Sequence, residues 1–234
     1  KYPRVKTILN NINMGYGKSN NIAINESKGE YILLLNSDTV VIKDGIEQLF
    51  LYCKNHSNVF VGGKLFNEDK SAQSSCGPFY TLPIVALMLF AKGDYWGATR
   101  FSPNDIKKVD WVSGACLAGC KEAFLKIGLF DENIFMYMEE IDFLYRANQN
   151  GYQTVFYPHA KFIHIGAASS VDLRKPVVNN YRGLKYFYQK HYSPLAFEIL
   201  IMMLKVKALL AIQLGRIIGR QDLVQKYEEA LSIL

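Results

Sequence analysis

Cysteine is scarce in this chain of 234 residues: Cys53, Cys76, Cys116 and Cys120 form no CxxC pair and have no histidine at zinc-finger spacing. That excludes a disulfide-built scaffold, leaves a closed zinc site short of ligands, and fits a reducing cytoplasm. Long uncharged apolar runs are missing too. Residues 82–91 (LPIVALMLFA) are apolar but too few to span a bilayer as a helix, and read as a helix or loop covering an active face. There is no internal repeat and no low-complexity tract. Ahead of Lys1 stands neither an initiator methionine nor a signal-peptide pattern, so the chain is expected to be a fragment. What is present suits a folded domain. Half the residues are apolar and 13% aromatic, enough for a sizeable core, and a net charge of +6 favours an anionic partner: nucleotide phosphate, acidic lipid or nucleic acid.

The order of elements predicts a doubly wound α/β sheet. Residues 4–9 (RVKTIL) read as a strand, followed by an Asn- and Gly-rich loop and a helix over 21–27. The unbroken run 31–35 (YILLL) suits a parallel strand buried on both faces. Asp44 is a candidate N-cap for a helix with Ile46, Leu49, Phe50 and Cys53 on its apolar side, and a strand starts at 59–61 before Gly62 and Gly63. A strand pattern resumes over 109–117. Helices are predicted over 121–127, stopped by Gly128, and over 135–150, stopped by Gly151. A strand over 153–157 precedes Pro158, and 160–165 carries His164. Beyond residue 176 the composition becomes basic, aromatic and apolar. This tail reads as helical, lying on a membrane or packed on its own domain.

Three places could carry chemistry. Asp38 follows the most buried-looking strand, where ligands of open α/β sheets gather; it could hold a hard divalent cation or simply form a turn. Glu139, Glu140 and Asp142 crowd a helix start behind the apolar stretch 135–138. Mutual repulsion could raise the proton affinity of one and make it a base; alternatively the helix dipole and an i, i+4 pair between Asp142 and Arg146 account for the charges. His164, near a strand end, is a metal ligand or a core histidine. A carboxylate, an acidic helix start and a histidine in this order look like a metal-diphosphate site with a base.

The phrases NNINMGYGKSNNIAINESKGEYILLLNSDTVV, VDWVSGACLAGCKEAFLKIGLFDENIFMYMEEIDFLYRANQNGY and AKFIHIGAASS resemble the inverting family 2 glycosyltransferases, in particular their rhamnosyltransferase-like branch, over residues 5–170. The resemblance implies a GT-A fold: a Rossmann-like, mixed, mainly parallel sheet flanked by helices, incomplete at its N-terminus. It implies a catalytic part over 1–175 and a helical, basic-apolar tail over 176–234. It implies transfer of a sugar from a nucleotide diphosphate-sugar to a hydroxyl of a glycan or lipid-linked acceptor, in the making of cell-surface polysaccharide or glycolipid. The expected location is cytoplasmic and peripheral on the inner face of the cell membrane, with no nucleic acid as partner. By resemblance Asn36-Ser37-Asp38 stands for a DxD motif whose last Asp binds Mg²⁺ or Mn²⁺, with His164 as an added ligand. Glu140 stands for the general base, with Glu139 and Asp142 as fallbacks. Asn13, Gly15 and Asn21 lie beside the nucleotide, Asn36 beside the diphosphate, and Trp111, Gly114 and Ala115 line the donor and acceptor cleft. The rival readings are a nucleotidyltransferase and a non-catalytic basic module that binds membrane or nucleic acid, carried by Arg182, Lys185, Lys190, Lys205, Lys207 and Arg216.

Overall fold

A computed structural model describes residues 3–166 and 175–234. The boundary expected at 175/176 adjoins residues 167–174, which lie outside the described residues, as does the end of the third resembling phrase. The elements are α1 (Tyr16–Glu26), β1 (Tyr31–Leu35), β2 (Thr39–Ile42), α2 (Gly45–Asn55), β3 (Val59–Phe66), β4 (Ala72–Gln73), β5 (Cys76–Gly77), α3 (Leu82–Phe90), β6 (Lys107–Val109), β7 (Trp111–Val112), β8 (Cys116–Cys120), α4 (Lys121–Ile127), α5 (Glu139–Gln149), β9 (Gln153–His164), α6 (Lys175–His191), α7 (Pro194–Ile217) and α8 (Gln221–Ser232). The main sheet runs β1-β8-β3-β9-β2, with β4 on β3 and β6 on β9, while β5 and β7 form a small separate pair.

The sheet is mixed, but the expectation that it is mainly parallel needs correction. Only β3 and β9 run parallel among the described strands; β1·β8, β3·β8, β2·β9, β3·β4 and β6·β9 are antiparallel. The YILLL run misled because β1, paired with β8 alone, buries only Ile32 and Leu34 and leaves the alternate residues half-covered. Continuous apolarity here reflects contact with α2 on the second face, where Tyr31 meets Phe50 edge to face, rather than a parallel interior.

Other expectations shift for local reasons. Residues 4–9 form no strand: no described strand lies beside them, and Val5 and Leu9 are largely exposed. β3 runs through Gly62 and Gly63 because Val112 and Phe162 pack flat over them, so close that a Cβ at either would come within 2.6 Å of those side chains. β9 is likewise not ended by Pro158. The register against β3 passes from Gly63↔Tyr157 to Lys64↔Lys161, so Pro158 sits in a bulge where its missing N–H costs no ladder bond. Asp44 precedes α2, but its carboxylate accepts from the Gln48 side chain instead of capping the helix, and of the four predicted apolar positions only Leu49 and Cys53 are buried. α4 matches the prediction, closing on left-handed Gly128.

Phe60, Phe124, Phe130 and Phe143 form the aromatic centre of the core, with ring centroids 5.0–6.4 Å apart. Helices beyond residue 175 join this centre. Val178, Tyr181, Leu184, Phe187 and Tyr188 of α6, and Leu200, Leu204 and Ala208 of α7, are buried in the same cluster. Tyr188 donates its hydroxyl to the Tyr80 carbonyl at 2.8 Å, which fastens α6 beside α3.

Candidate active site

Two groups of polar residues converge at the C-terminal end of β1. The first is set by strand register. Antiparallel pairing of β2 with β9 places Thr39 opposite His164, and therefore brings Asp38 beside that histidine across 126 residues of sequence. His164 Nε2 lies 3.4 Å from Asp38 Oδ1 and 3.4 Å from Asn36 Nδ2. Its other nitrogen, Nδ1, lies 2.8 Å from Gln73 Oε1, and Gln73 spends its own amide N–H on Asn67 Oδ1 at 2.9 Å. Gln73 Oε1 must then accept, so Nδ1 carries the proton and the Nε2 lone pair faces Asp38. A carboxylate oxygen beside an oriented imidazole lone pair is a donor set that fits a divalent cation, with a second-shell amide fixing the tautomer. Among the described residues no third His, Cys, Asp or Glu joins them, which leaves the remaining positions to a ligand.

The second group is built around the start of α5. The sequence pattern places that helix from residue 135, but it begins at Glu139, because Tyr137 and Met138 take left-handed φ values of 66° and 77°. Two successive non-glycine residues in that region are strained, and such strain persists where surrounding packing enforces it. The packing is visible: Met138 is buried, and Gly183 of α6 approaches so closely that a Cβ there would lie 2.7 Å from Met138 Cγ. On the other side Gly15, at φ 84°, brings the backbone against Phe135; a Cβ at Gly15 would fall 2.2 Å from the Phe135 carbonyl oxygen, which accepts from the Tyr16 N–H at 3.2 Å. Asn13 is exposed and accepts from the Gly15 N–H at 3.0 Å, forming the turn into α1.

Glu139 and Glu140 differ from Asp142. Glu139 is 5% exposed, and its Oε2 has no partner among the described residues. Burial first, and the Glu140 charge second, push its carboxyl up to about 8. Glu140 is half-buried, and burial raises its proton affinity too, against the opposing pull of Arg100 and the Gly114 N–H. Tyr16 donates its hydroxyl to the Gly114 carbonyl, and burial, then Glu140 and Glu139, hold its phenol protonated. Asp142 is fully buried but saturated: Arg146 Nε at 2.9 Å, Lys190 Nζ at 2.8 Å and His191 Nε2 at 2.7 Å surround it. Burial would raise its pKa, yet His191, Arg146 and Lys190 together outweigh that and lower it.

The turn 113–115 links the two groups. The Ala115 carbonyl accepts from the Asn36 N–H at 3.1 Å, while Gly114 meets Tyr16 and Glu140. Three predicted roles change. Asp142, a fallback base, is closed off by Arg146, Lys190 and His191. Asn21 is buried and clamps the loop before α5, donating to the Phe130 carbonyl at 2.9 Å and accepting from the Phe130 N–H at 3.0 Å. Trp111 is 1% exposed with its indole N–H on the Pro78 carbonyl at 2.8 Å, so it supports the cleft from beneath and lines nothing. Sequence reasoning missed Tyr16, Gln73, Arg100, Lys190 and His191 as site residues. Tyr16 stands inside the NMGYG motif; the others carry no local signal, since only folding brings them here.

The likeness to a solved structure, "Crystal structure of GalNAc-T7 with UDP, GalNAc and Mn2+", has a TM-score of 0.51 at 16% identity and covers 76% of this chain and 37% of that one; it shows a GT-A glycosyltransferase fold. Residues 1–76 match the family model "Glycosyl transferase family 2". An N-acetylglucosaminyl-diphospho-decaprenol L-rhamnosyltransferase of Mycobacterium tuberculosis is 28% identical over 191 residues, 73% of this chain and 62% of the relative. The low-salt glycan biosynthesis hexosyltransferase Agl10 of Haloferax volcanii is 28% identical over 164 residues, 68% of this chain and 48% of the relative. The chain is thus similar to glycosyltransferase family 2 over its first 76 residues, and to named rhamnosyl- and hexosyltransferases over about 70% of its length. It spans between 48% and 62% of the length of these two relatives.

Proposed function

We propose that the protein transfers a sugar from a nucleotide diphosphate-sugar to an acceptor hydroxyl with inversion, in the synthesis of a cell-surface glycan or glycolipid. The observation that carries this reading is the half-buried Glu140, of raised proton affinity, joined through the turn 113–115 to the Asp38–His164 pair. Asp38 and His164 would hold Mg²⁺ or Mn²⁺, which when bound neutralises charge on a diphosphate. Glu140 accepts the proton of the acceptor hydroxyl as that oxygen attacks the anomeric carbon from the face opposite the leaving group. Glu139, buried behind it, resists ionisation and so keeps a second negative charge away from Glu140. Asn13, Gly15, Asn36 and Ala115 border the donor. Incubating the full chain and Mn²⁺ with a panel of nucleoside diphosphate-sugars and lipid-linked or free glycan acceptors tests the reading. It predicts a glycoside of inverted anomeric configuration by NMR; retention, or hydrolysis of a nucleotide bond instead, contradicts it.

The acceptor side of the proposal includes a membrane surface, reached from the cytoplasmic face. No helix among the described residues is long and apolar enough to cross a bilayer. α7 nevertheless carries two apolar faces. Leu200, Leu204, Ala208 and Ala211 face the domain; on the opposite side, at about 100° per residue, Leu195, Met202, Val206, Leu209, Leu210 and Ile217 are exposed, Ile217 by 80%. Lys205 and Lys207 stand at its two margins, and residues 175–234 hold nine lysines and arginines against four acids. An apolar stripe with basic margins suits an anionic lipid surface, whereas a second copy of the same stripe would meet it with like charge. Sedimentation with anionic vesicles that is lost on Leu209→Ser with Leu210→Ser supports this; equal recovery with neutral vesicles, or dimerisation that the same pair abolishes, refutes it.

A further inference from the structure

α3 contains no polar residue. Its sequence, LPIVALMLF, is apolar on every side, a pattern that belongs to a helix enclosed in a core or in lipid, yet Val85 alone is buried. The inner side packs on α7 and on the main core. The outer side carries Pro83, Leu87 and Phe90 at helical spacing, all exposed, Phe90 by 47%. A tight turn follows. Lys92 enters it at a left-handed φ of 51°, and Gly93 is buried so closely that a Cβ there would fall 2.6 Å from Thr99 Cγ2. The Gly93 N–H donates to the Leu87 carbonyl and its carbonyl accepts from the Ala98 N–H, both at 2.9 Å. So fixed, the turn holds Tyr95 and Trp96 outward, 80% and 74% exposed, with their rings edge to face at 5.2 Å. An exposed apolar stripe that ends in a firmly held aromatic pair marks an interaction surface.

The chemistry of this surface selects lipid. Tryptophan and tyrosine combine an apolar body with a polar edge and gather where acyl chains meet headgroups. From residue 82 to 104 the only acid is Asp94, which accepts from the buried Thr99 hydroxyl, while Lys92 stands exposed before the aromatic pair. A positive margin on an apolar stripe complements an anionic bilayer. To a protein partner, by contrast, α3 offers no side-chain hydrogen bond that would fix its register. We propose that α3 and the turn 92–97 dip into an anionic bilayer at headgroup depth, as a contact separate from the stripe on α7. Asp94 in the turn and Arg100 just after it border an open cavity of about 380 Å³ with Gln73, Ser113 and His164, so this contact would set the mouth of the candidate site against the membrane. The consequence for an acceptor embedded in that membrane rests on the transfer reading; the lipid contact itself does not.

Trp96 is its own reporter, since the chain has only two tryptophans and Trp111 is 1% exposed. Fluorescence of the full chain is followed on adding vesicles of phosphatidylglycerol and phosphatidylcholine, with ordinary or brominated acyl chains. The expected result is a blue shift with ordinary vesicles and quenching by the brominated ones, both absent in Trp96→Phe, which still sediments with the vesicles. Tyr95→Ser with Trp96→Ser, at unchanged melting temperature, should weaken vesicle binding about tenfold or more, because that aromatic surface no longer leaves water. Sedimentation with vesicles while wild-type emission stays as in buffer overturns the proposal and keeps the α7 reading. A shift and quenching that survive Leu209→Ser with Leu210→Ser keep the proposal and remove the α7 reading. A blue shift that grows with protein concentration in the absence of lipid assigns the surface to a second copy, and also overturns the proposal. In a transfer assay the Tyr95, Trp96 double variant should lose activity by the same factor on an acceptor anchored in vesicles and none on a short water-soluble one. A chain that blue-shifts on vesicles but transfers to neither acceptor retains the lipid contact and removes the transfer reading.

Discussion

Three carboxylates occupy the first turn of α5 and meet opposite fates. Glu139, buried, and Glu140, half-buried, have few partners and hold their protons more tightly than usual; Asp142, one position beyond Ile141, is fully buried yet ionised more readily than usual. The helix dipole acts on all three with one sign and cannot separate them. What separates them is α6. Lys190 and His191 reach across to Asp142, and Lys190 also meets Asp131 at 2.6 Å, so a helix from the C-terminal region neutralises one acid and leaves the other two alone. One part of this helix start is a structural anchor, and the adjoining part is left chemically expensive, the pattern expected where function overrides stability.

The contrast can be broken from the anchor side first. Asp142→Asn leaves Arg146, Lys190 and His191 converging on an amide, and should cost about 3–5 kcal/mol in urea unfolding, as for other buried pairs cut on one side. A loss under about 1 kcal/mol would mean that the three side chains find water instead. Gly15→Ala forces a Cβ into the Phe135 carbonyl at positive φ, and should cost about 1–3 kcal/mol while lowering activity, because the strained 135–138 segment must move. Lys190→Met removes one of three partners from Asp142 and the only cation from Asp131 among the described residues; a loss of about 1–2 kcal/mol is expected.

The contrast also predicts a pH dependence. Folding raises the Glu139 pKa from its ordinary 4.5 to about 8, so the folded chain holds that proton more tightly than the unfolded chain. Wild-type stability should therefore be fullest with respect to this group below pH 4.5 and fall as pH rises to about 8. Glu139→Gln cannot ionise. Its melting temperature should coincide with the wild type near pH 4.5 and exceed it by about ten degrees at pH 8. Asp142, whose pKa folding lowers, has the reverse dependence: its contribution is present above pH 4 and lost in acid.

How far these features are legible in the sequence follows from the range of the interactions that make them. α4 is readable because its period and its Gly128 stop are local. Asp38, His164 and the acidic helix start are readable as an ordered set, since the motif spacing stands in for the β2·β9 register that brings the first two together. The break before Glu139 is not readable. Residues 135–138 carry no helix breaker, and their left-handed turn is imposed by Gly15 and Gly183, more than forty residues away on either side. Trp111 and Asn21 sit inside motif phrases, yet their side chains spend their polar groups on the Pro78 and Phe130 backbones. Arg100 is the reverse case, a residue outside every motif phrase that only folding brings within reach of Glu140.

The central claim is that Glu140, and not its neighbour Glu139, takes the acceptor proton. It is tested most directly by comparing Glu140→Gln with Glu139→Gln in the same sugar-transfer assay, with Mn²⁺-dependent binding of a nucleoside diphosphate measured by calorimetry on both. The account predicts that Glu140→Gln loses about 10²- to 10⁴-fold in turnover while binding the nucleotide as the wild type does, and that Glu139→Gln stays within about tenfold of wild type. Near-normal turnover in Glu140→Gln, with the large loss in Glu139→Gln, would contradict it.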